Sequence, residues 1–158
     1  MMVDPAVLDE LTRLRARLPE LCASVLATPD GLVMAHDARD IEPDGLAALA
    51  AAHHALARRF AYTVGHGELR ESVVACDHGY ITSYAAGSTA LLTLVTTGAA
   101  NLAMAHLEAR RCVLRLQPLL DARPPRPRPA VPAQPNPAGV APPLARRVPM
   151  ASLPGSAL

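Results

Sequence analysis

The chain has 158 residues, 51% hydrophobic and 3% aromatic, which is typical of one domain with an aliphatic core. Its net charge of +1 hides a division: residues 1–120 carry 10 arginines against 13 acids, whereas residues 121–158 carry five arginines against one acid. Neither part has the dense positive charge of a nucleic-acid-binding domain, and the absence of lysine excludes a phosphate-binding P-loop.

The cysteines and the hydropathy of the sequence predict the cellular compartment of the protein. Cys22, Cys76 and Cys112 form no CxxC pair, so we expect reduced, buried thiols. The first residues hold acids where a signal peptide has an apolar run, and the apolar stretch 90–105 is too short and too polar to span a membrane. We therefore expect a soluble, cytoplasmic protein without stable membrane insertion.

The first third of the chain predicts a helix followed by a β-hairpin. Asp4 can cap a helix over residues 4–18, Pro5 suits its first position, and Pro19 ends it. Two apolar runs then flank Pro29-Asp30-Gly31, a tight-turn sequence, which predicts a hairpin over residues 21–34. Residues 36–42 are polar and predict a loop.

A long helix is predicted over residues 42–65, with Pro43 and Asp44 in its first turn and Gly65 at its end. Alanines make several of its faces small, so that another element can approach closely. The larger side chains recur at helical spacing and form one stripe: Leu46, Leu49, His53, Leu56, Phe60 and Val64.

The remaining elements are three strands and a helix. Alternating polarity and short turns predict an antiparallel meander over residues 68–77, 80–86 and 89–97. A last helix is predicted over residues 99–119, ending at Pro118, with these charged side chains in solvent: Glu108, Arg110, Arg111 and Arg115.

The element order α-β-β-α-β-β-β-α predicts an α+β fold with one five-stranded antiparallel sheet between helices, a layering similar to that of profilin. The middle helix covers one face and the terminal helices cover the other. Residues 1–120 form this domain. Residues 121–158 hold 11 prolines and few large apolar residues, which predicts a disordered Pro/Arg-rich tail with local polyproline character.

Cys76, Asp77 and His78 stand side by side and raise the possibility of nucleophilic catalysis. A catalytic cysteine needs a histidine in contact and a third orienting group, usually from distant parts of a chain. Asp77 and Gly79 favour a tight turn, so we interpret the segment as a hairpin loop. A cysteine hydrolase stays open as an alternative, in which Cys76→Ser would abolish activity.

The other polar candidates predict neither a metal nor a cofactor. His53 and His54 point about 100° apart on a helix and cannot chelate one ion together. Arg58 and Arg59 are either an arginine finger for a partner's nucleotide or a solvated helix face, and the second interpretation is favoured. With no enzyme signature, a long Ala-rich helix beside an exposed strand favours a non-catalytic interaction module.

Over residues 5–120 the sequence resembles a bacterial, actinobacterial-type Roadblock/LC7 domain. The resemblance depends on an apolar strand followed by the turn "DGLV", an Ala/Leu helix ending in "GHGEL", the turn "HGY", and a small-residue turn before "LLTLV". No single motif is diagnostic, but their order and spacing together are specific.

The resemblance implies a homodimer that pairs sheets edge to edge and packs its middle helices together. It implies a scaffold or signalling regulator that binds a small Ras-like GTPase, accompanied in actinobacteria by a sensor-kinase-like protein. The matching interface positions are Leu49, His53, Leu56, Phe60, Arg70, Ser72 and Val74, which could instead be plain core. A small-molecule-sensing, profilin- or GAF-like domain remains the alternative function.

Overall fold

The computed structural model describes residues 4–122, which form three helices and one five-stranded antiparallel sheet. The helices are α1 (Pro5–Arg17), α2 (Pro43–Thr63) and α3 (Leu102–Asp121), and the strands are β1 (Leu21–Ala27), β2 (Val33–Ala38), β3 (Glu71–Cys76), β4 (Gly79–Ala86) and β5 (Ala90–Thr97). The predicted class and element order are confirmed. The predicted disordered tail lies, from residue 123 onward, outside the described residues.

The strands are arranged in the order β2-β1-β5-β4-β3, and every neighbouring pair is antiparallel. The hairpin between β1 and β2 therefore occupies one edge of the sheet, and β3 forms the other edge. Within residues 4–122, no helix is long and apolar enough to cross a membrane.

The main core lies between one face of the sheet and the layer formed by α1 and α3. Leu11, Leu14 and Leu116 from the helices pack with Leu26 and Leu92 from the sheet, and all five are fully or nearly fully buried. Burial of such side chains is the dominant favourable contribution to folding. The predicted placement of the terminal helices together on one face is confirmed.

Two carboxylates are buried inside this layer, so the expectation that Glu108 is solvated is wrong. Arg111 donates a hydrogen bond of 2.8 Å to Glu108, and Arg115 donates one of 2.5 Å to Glu10 on α1. A buried carboxylate is tolerated when it is paired and hydrogen-bonded. Arg111 and Arg115, which were expected to lie in solvent, therefore pair with the buried acids Glu108 and Glu10.

Helix α2 covers the opposite face of the sheet and meets it through small side chains. Ala47, Ala50 and Ala51 are buried, and Ala47 packs against Val25 and Ala27 of β1. The approach is close: a Cβ placed on Gly31, where φ is +86°, would lie 3.0 Å from the Cα of Ala48. Glycine is therefore required at this turn for both its backbone angle and its size.

Three predicted boundaries are wrong by a few residues. Strand β2 continues to Ala38 into the expected loop, and β3 begins at Glu71 rather than at residue 68. Helix α3 passes through Pro118 to Asp121. Proline near a helix end removes only one hydrogen bond, and the Pro118 carbonyl still accepts from the Ala122 amide at 3.2 Å.

Arg15 on α1 ties the helix to the β1–β2 hairpin. Its guanidinium donates to the carbonyl oxygens of Leu21 at 2.8 Å, Cys22 at 3.1 Å and Asp37 at 2.9 Å. It also forms an ion pair with the Asp37 carboxylate. One side chain therefore satisfies three main-chain acceptors where β1 begins and β2 ends.

Candidate partner-binding surface

The largest exposed apolar side chains of α2 lie on the side of the helix that faces away from the sheet. Because the buried alanines face inward, the stripe formed by Leu49, His53, Leu56 and Phe60, called here the outer α2 stripe, faces outward. Leu49 is 73% exposed, and Leu56 and Phe60 are each 71% exposed, while His53 is half-buried. Large apolar side chains clustered at such exposure mark an interaction surface.

The helix that carries this stripe has well-defined ends. The Glu42 carboxylate caps the first turn by accepting from the amides of Asp44 and Gly45, and Pro43 occupies the first helical position. At the other end, Gly65 adopts a positive φ of +75° and terminates the helix. The stripe is therefore displayed on a rigid element.

Strand β3 is the second part of the candidate surface. It pairs with β4 through the register Glu71↔Tyr84 to Cys76↔Gly79, and no strand of the described residues pairs with its other side. Just before it, the carbonyl of Arg70 accepts from the Ala85 amide at 3.0 Å. An edge strand with free main-chain donors and acceptors can pair with another strand.

The two faces of β3 differ because side chains alternate along a strand. Glu71 faces α3, since it forms an ion pair with Arg110 of that helix at 2.6 Å. Ser72 and Val74 therefore face the α2 side, and both are half-buried. The structure brings the four helical candidates into one stripe and places Arg70, Ser72 and Val74 at the edge that follows α2 in the chain.

A cationic groove runs beside the outer α2 stripe on the same helix. It is lined by Arg58, Arg59 and Tyr62, with Ala55 and Thr63. Arg58 lies 3.6 Å from Glu68, and the Tyr62 hydroxyl donates to the same carboxylate. Arg58 and Arg59 are thus on the exposed side of the helix, as the solvated-face interpretation predicts.

His54 lies on the inner side of α2, one turn beyond Ala50 and Ala51. Its Nδ1 atom is buried and has no hydrogen-bond partner. Burial lowers the pKa of this imidazole, and the positive charge of Arg58 and the neighbouring His53 lower it further, while Glu68 acts in the opposite direction. The neutral imidazole is therefore the form that α2 accommodates.

A polar cluster joins the edge strand to α3, and the sequence did not reveal it. Arg110 binds Glu71 through two hydrogen bonds of 2.6 and 2.9 Å, and this interaction lowers the pKa of the carboxyl. His106 lies 3.8 Å from Glu71, and its Nδ1 is 2.8 Å from the Tyr84 hydroxyl. Pairing of β3 with β4 joins Glu71 to Tyr84, and packing of α3 on the sheet adds His106 and Arg110, so their spacing in the sequence gave no signal.

The Cys76-Asp77-His78 segment is the hairpin turn between β3 and β4, as predicted. All three side chains are exposed, so the expectation that Cys76 faces the core is wrong. Cys22 is also exposed, whereas Cys112 is buried as expected, and burial raises its thiol pKa to about 11. No group of three or more potential metal ligands is present within residues 4–122.

Comparison with known proteins agrees with this architecture. The Roadblock/LC7 domain from Streptomyces avermitilis is 29% identical, covers 71% of this chain and 95% of its own, and superposes with a TM-score of 0.68. The gliding protein MglB from Thermus thermophilus is 24% identical over 74% of this chain and 90% of its own, with a TM-score of 0.67. At this identity, the similarity to MglB shows that the two proteins share a fold.

A further MglB structure, described as a tetrameric arrangement, is 24% identical over 74% of this chain and 89% of its own, with a TM-score of 0.69. No curated protein matches the sequence. The family model for the Roadblock/LC7 domain matches residues 7–96, which is more than half of the chain. This chain therefore belongs to the Roadblock/LC7 domain family.

Proposed function

We propose that this protein is a non-catalytic homodimeric regulator that binds a small Ras-like GTPase and modulates its nucleotide cycle or its location in bacterial signalling. The observation that carries the proposal is the outer α2 stripe, whose large apolar side chains are exposed, in a fold whose edge strand β3 has no strand partner within residues 4–122. A sensor-kinase-like protein is a further partner under this proposal.

The dimer part of the proposal follows from the chemistry of the two elements. Pairing of β3 with β3 of a second copy would satisfy the free main-chain groups of the edge. We infer that the same two-fold association also brings the two outer α2 stripes together, because α2 covers the face of the sheet toward which Ser72 and Val74 point. Ser72 and Val74 face the α2 side and would lie at the junction of the two contacts.

The GTPase part of the proposal is supported by family membership and by the form of the surface. Roadblock/LC7 proteins include regulators and scaffolds of Ras-like GTPases, and an MglB relative is described in a tetrameric arrangement. The groove lined by Arg58 and Arg59 borders the outer α2 stripe, and the exposed guanidinium of Arg59 is suited to an acidic group on a partner.

The ligand-sensing alternative is less well supported. The cleft between the end of α1 and the start of α3 measures about 190 Å³ and is lined by residues that include Arg17, Thr96 and Met104. Pockets for small molecules typically enclose roughly 300–1,000 Å³. The hollow of about 560 Å³ beside Arg58, Arg59 and Tyr62 reaches this size, but it lies on the exposed side of α2 and not between the sheet and a helix. The GTPase proposal is therefore favoured over a sensor function.

Self-association is tested by light scattering on the full chain and on the double variant Leu56→Asp/Phe60→Asp. We expect a dimer for the unmodified chain and a dimer dissociation constant raised by at least about tenfold for the variant, because two charges would be buried at the contact. Leu32→Asp is the matched control, since Leu32 is exposed in the β1–β2 turn. A monomeric unmodified chain would contradict the dimer.

GTPase binding is tested with the small GTPase encoded nearest to the gene of this protein, loaded separately with GDP and with a GTP analogue. Tighter binding of one nucleotide form by the dimer is the expected result, and turnover assays then distinguish activation from tethering. A stable dimer that binds neither form would overturn the GTPase part and leave the dimer in place.

A further inference from the structure

The main-chain hydrogen bonds of β3 determine which of its residues have free groups at the open edge. In an antiparallel pair, opposite residues alternate between pairs that exchange main-chain hydrogen bonds and pairs that exchange none. The register Glu71↔Tyr84, extended by one residue, sets Arg70 opposite Ala85, and the Ala85 amide donates to the Arg70 carbonyl at 3.0 Å. The main-chain groups of Arg70 therefore point toward β4.

The same alternation continues along the strand. Ser72 and Val74 also direct their main-chain groups toward β4. The residues between and beside them have amides and carbonyls that point away from β4, and they are called here the edge set: Glu71, Val73 and Ala75. Within residues 4–122 no strand pairs with these groups, so they are free to pair with a strand of another molecule.

A second copy of β3 matches the edge set completely in one register. Two antiparallel copies of the same strand pair symmetrically about a central residue. When that residue is Val73, Glu71 lies opposite Ala75 of the second copy and Val73 lies opposite itself, so every residue of the edge set exchanges main-chain hydrogen bonds. Centring the pair on a neighbouring residue of β3 that points to β4 sets one end of the edge set opposite a residue outside β3.

The side chains of the edge favour the same register. Val73 is 44% exposed, and its own copy directly opposite would cover it with a second β-branched side chain, a stabilising cross-strand pair. Centring the pair on Val74 would instead set the Glu71 carboxylate opposite Asp77, and like charges directly opposite each other are destabilising. Centring it on Ser72 would set Glu71 opposite the apolar Val73.

We propose that two copies of this chain pair β3 with β3 in the register centred on Val73, with the two-fold axis between the two Val73 residues. The inference rests on the dimer part of the proposed function and specifies its contacts. On the α2 side, Ser72 lies opposite Val74 of the second copy, and Arg70 lies opposite Cys76. These opposite residues exchange no main-chain hydrogen bonds, so their Cα atoms are about 4.5 Å apart, within the range that a disulfide bridges.

The test is disulfide cross-linking to the native Cys76, in the full chain carrying Cys22→Ser so that the other exposed cysteine cannot react. Under mild oxidation, Arg70→Cys should give a covalent dimer on a non-reducing gel at least about tenfold faster than Ser72→Cys. Adding Cys76→Ser should abolish the Arg70→Cys product. Ser72→Cys is the matched variant, because residue 72 lies opposite Cys76 only when the pair is centred on Val74, and opposite itself only when Ser72 is the centre.

Light scattering on the reduced chains separates the ways in which the inference can fail. A dimer that cross-links through Ser72→Cys and not through Arg70→Cys would overturn the register and leave the homodimer in place. A dimer in which neither variant cross-links would show that the copies associate through another surface, and it would overturn pairing through β3. A monomeric chain would overturn the dimer and this inference together.

A second test places charge on the two-fold axis. Val73→Lys and Val73→Asp should each raise the dimer dissociation constant by at least about tenfold, because either variant sets like charges opposite each other. The circular dichroism spectrum should not change, since the Val73 side chain is partly exposed, and Leu32→Lys in the β1–β2 turn is the control. A tighter dimer for Val73→Lys would show that residue 73 faces Glu71 of the second copy, and the register would be wrong.

Discussion

On one face of the sheet, α1 and α3 bury leucines such as Leu11, Leu14 and Leu116, and on the other face α2 meets the sheet through Ala47, Ala50 and Ala51. The leucines and the phenylalanine of α2 are mostly on its outer side. Large apolar side chains are therefore buried in the α1/α3 layer and mostly exposed on α2.

The difference shows which layer supplies stability and which supplies a surface. Burial of leucine gives far more transfer free energy than burial of alanine, so the α1/α3 layer contributes most of the core. An alanine face lets α2 lie close to the sheet while its large side chains remain available for a partner. The sequence alone could not distinguish a helix that builds the core from one that displays a surface, because α1, α2 and α3 all have amphipathic spacing.

The largest expected effect is in the α1/α3 layer. Leu116→Ala should lower the free energy of unfolding by about 2–5 kcal/mol, because Leu116 is fully buried and alanine leaves a cavity. The measurement is urea unfolding followed by circular dichroism. Leu114→Ala on the same helix is the control and should change stability by less than about 0.5 kcal/mol. Equal losses would contradict the assignment of the main core.

The close approach of α2 is tested by Gly31→Ala. We expect a loss of about 1–3 kcal/mol, because the new Cβ would press on the Ala48 backbone and because φ is positive at this residue. Gly65→Ala separates the two causes: its φ is also positive, but its Cβ would meet nothing within 4 Å. If both variants lose the same stability, the contact between the turn and α2 is unimportant.

The α2 layer should also be sensitive to mild acid through His54. Its folded-state pKa is lowered below the usual 6.5, so the unfolded chain takes up a proton first as pH falls. Stability is therefore greatest above pH 6.5 and decreases as pH falls from 6.5 through the folded-state pKa. Urea unfolding between pH 5 and 8 measures this slope.

His54→Gln should flatten that slope, since the titrating group is gone. His66→Gln is the control, because His66 is exposed in the connection after α2. A slope that survives in His54→Gln would show that another group, outside the inner side of α2, is responsible.

The smallest expected effect concerns the Glu71–Arg110 pair between α3 and the edge strand. The hydrogen bonds from Arg110 lower the pKa of Glu71 below its usual 4.5, so the pair stabilises the fold above pH 4.5 and this contribution is lost as pH falls through the folded-state pKa. Glu71→Gln should flatten this pH dependence and lower the free energy of unfolding at pH 7 by the same small amount. Arg110 is exposed, and screening by solvent keeps the contribution of the pair small.

The sequence was sufficient for features that depend on local pattern. Pro29-Asp30-Gly31 predicted the hairpin, and the spacing of Leu49, Leu56 and Phe60 predicted that they share a side of α2. The sequence was insufficient for contacts between elements that are distant from each other in the chain. The burial of Glu108 follows from Arg111 and from the packing of α1, and the contact of Glu71 with Arg110 follows from the strand order together with the packing of α3 on the sheet.

That the outer α2 stripe and β3 form an interface stays a prediction, and so do the interface roles of Arg70, Ser72 and Val74. Their half-buried or exposed positions near a free edge fit either an interface or a solvated rim. Only a dimer measurement distinguishes the two, since a single chain presents the same surface in both cases.

The Arg15 side chain distinguishes the β2 edge of the sheet from the β3 edge. A sheet with two receptive edges can add strands without end, as fibrils do. Here the Arg15 guanidinium covers one main-chain acceptor of the β2 edge, the carbonyl oxygen of Asp37, and ties that end of the strand to α1. If copies pair through β3 alone, pairing has a valence of one: two copies close on each other and growth stops.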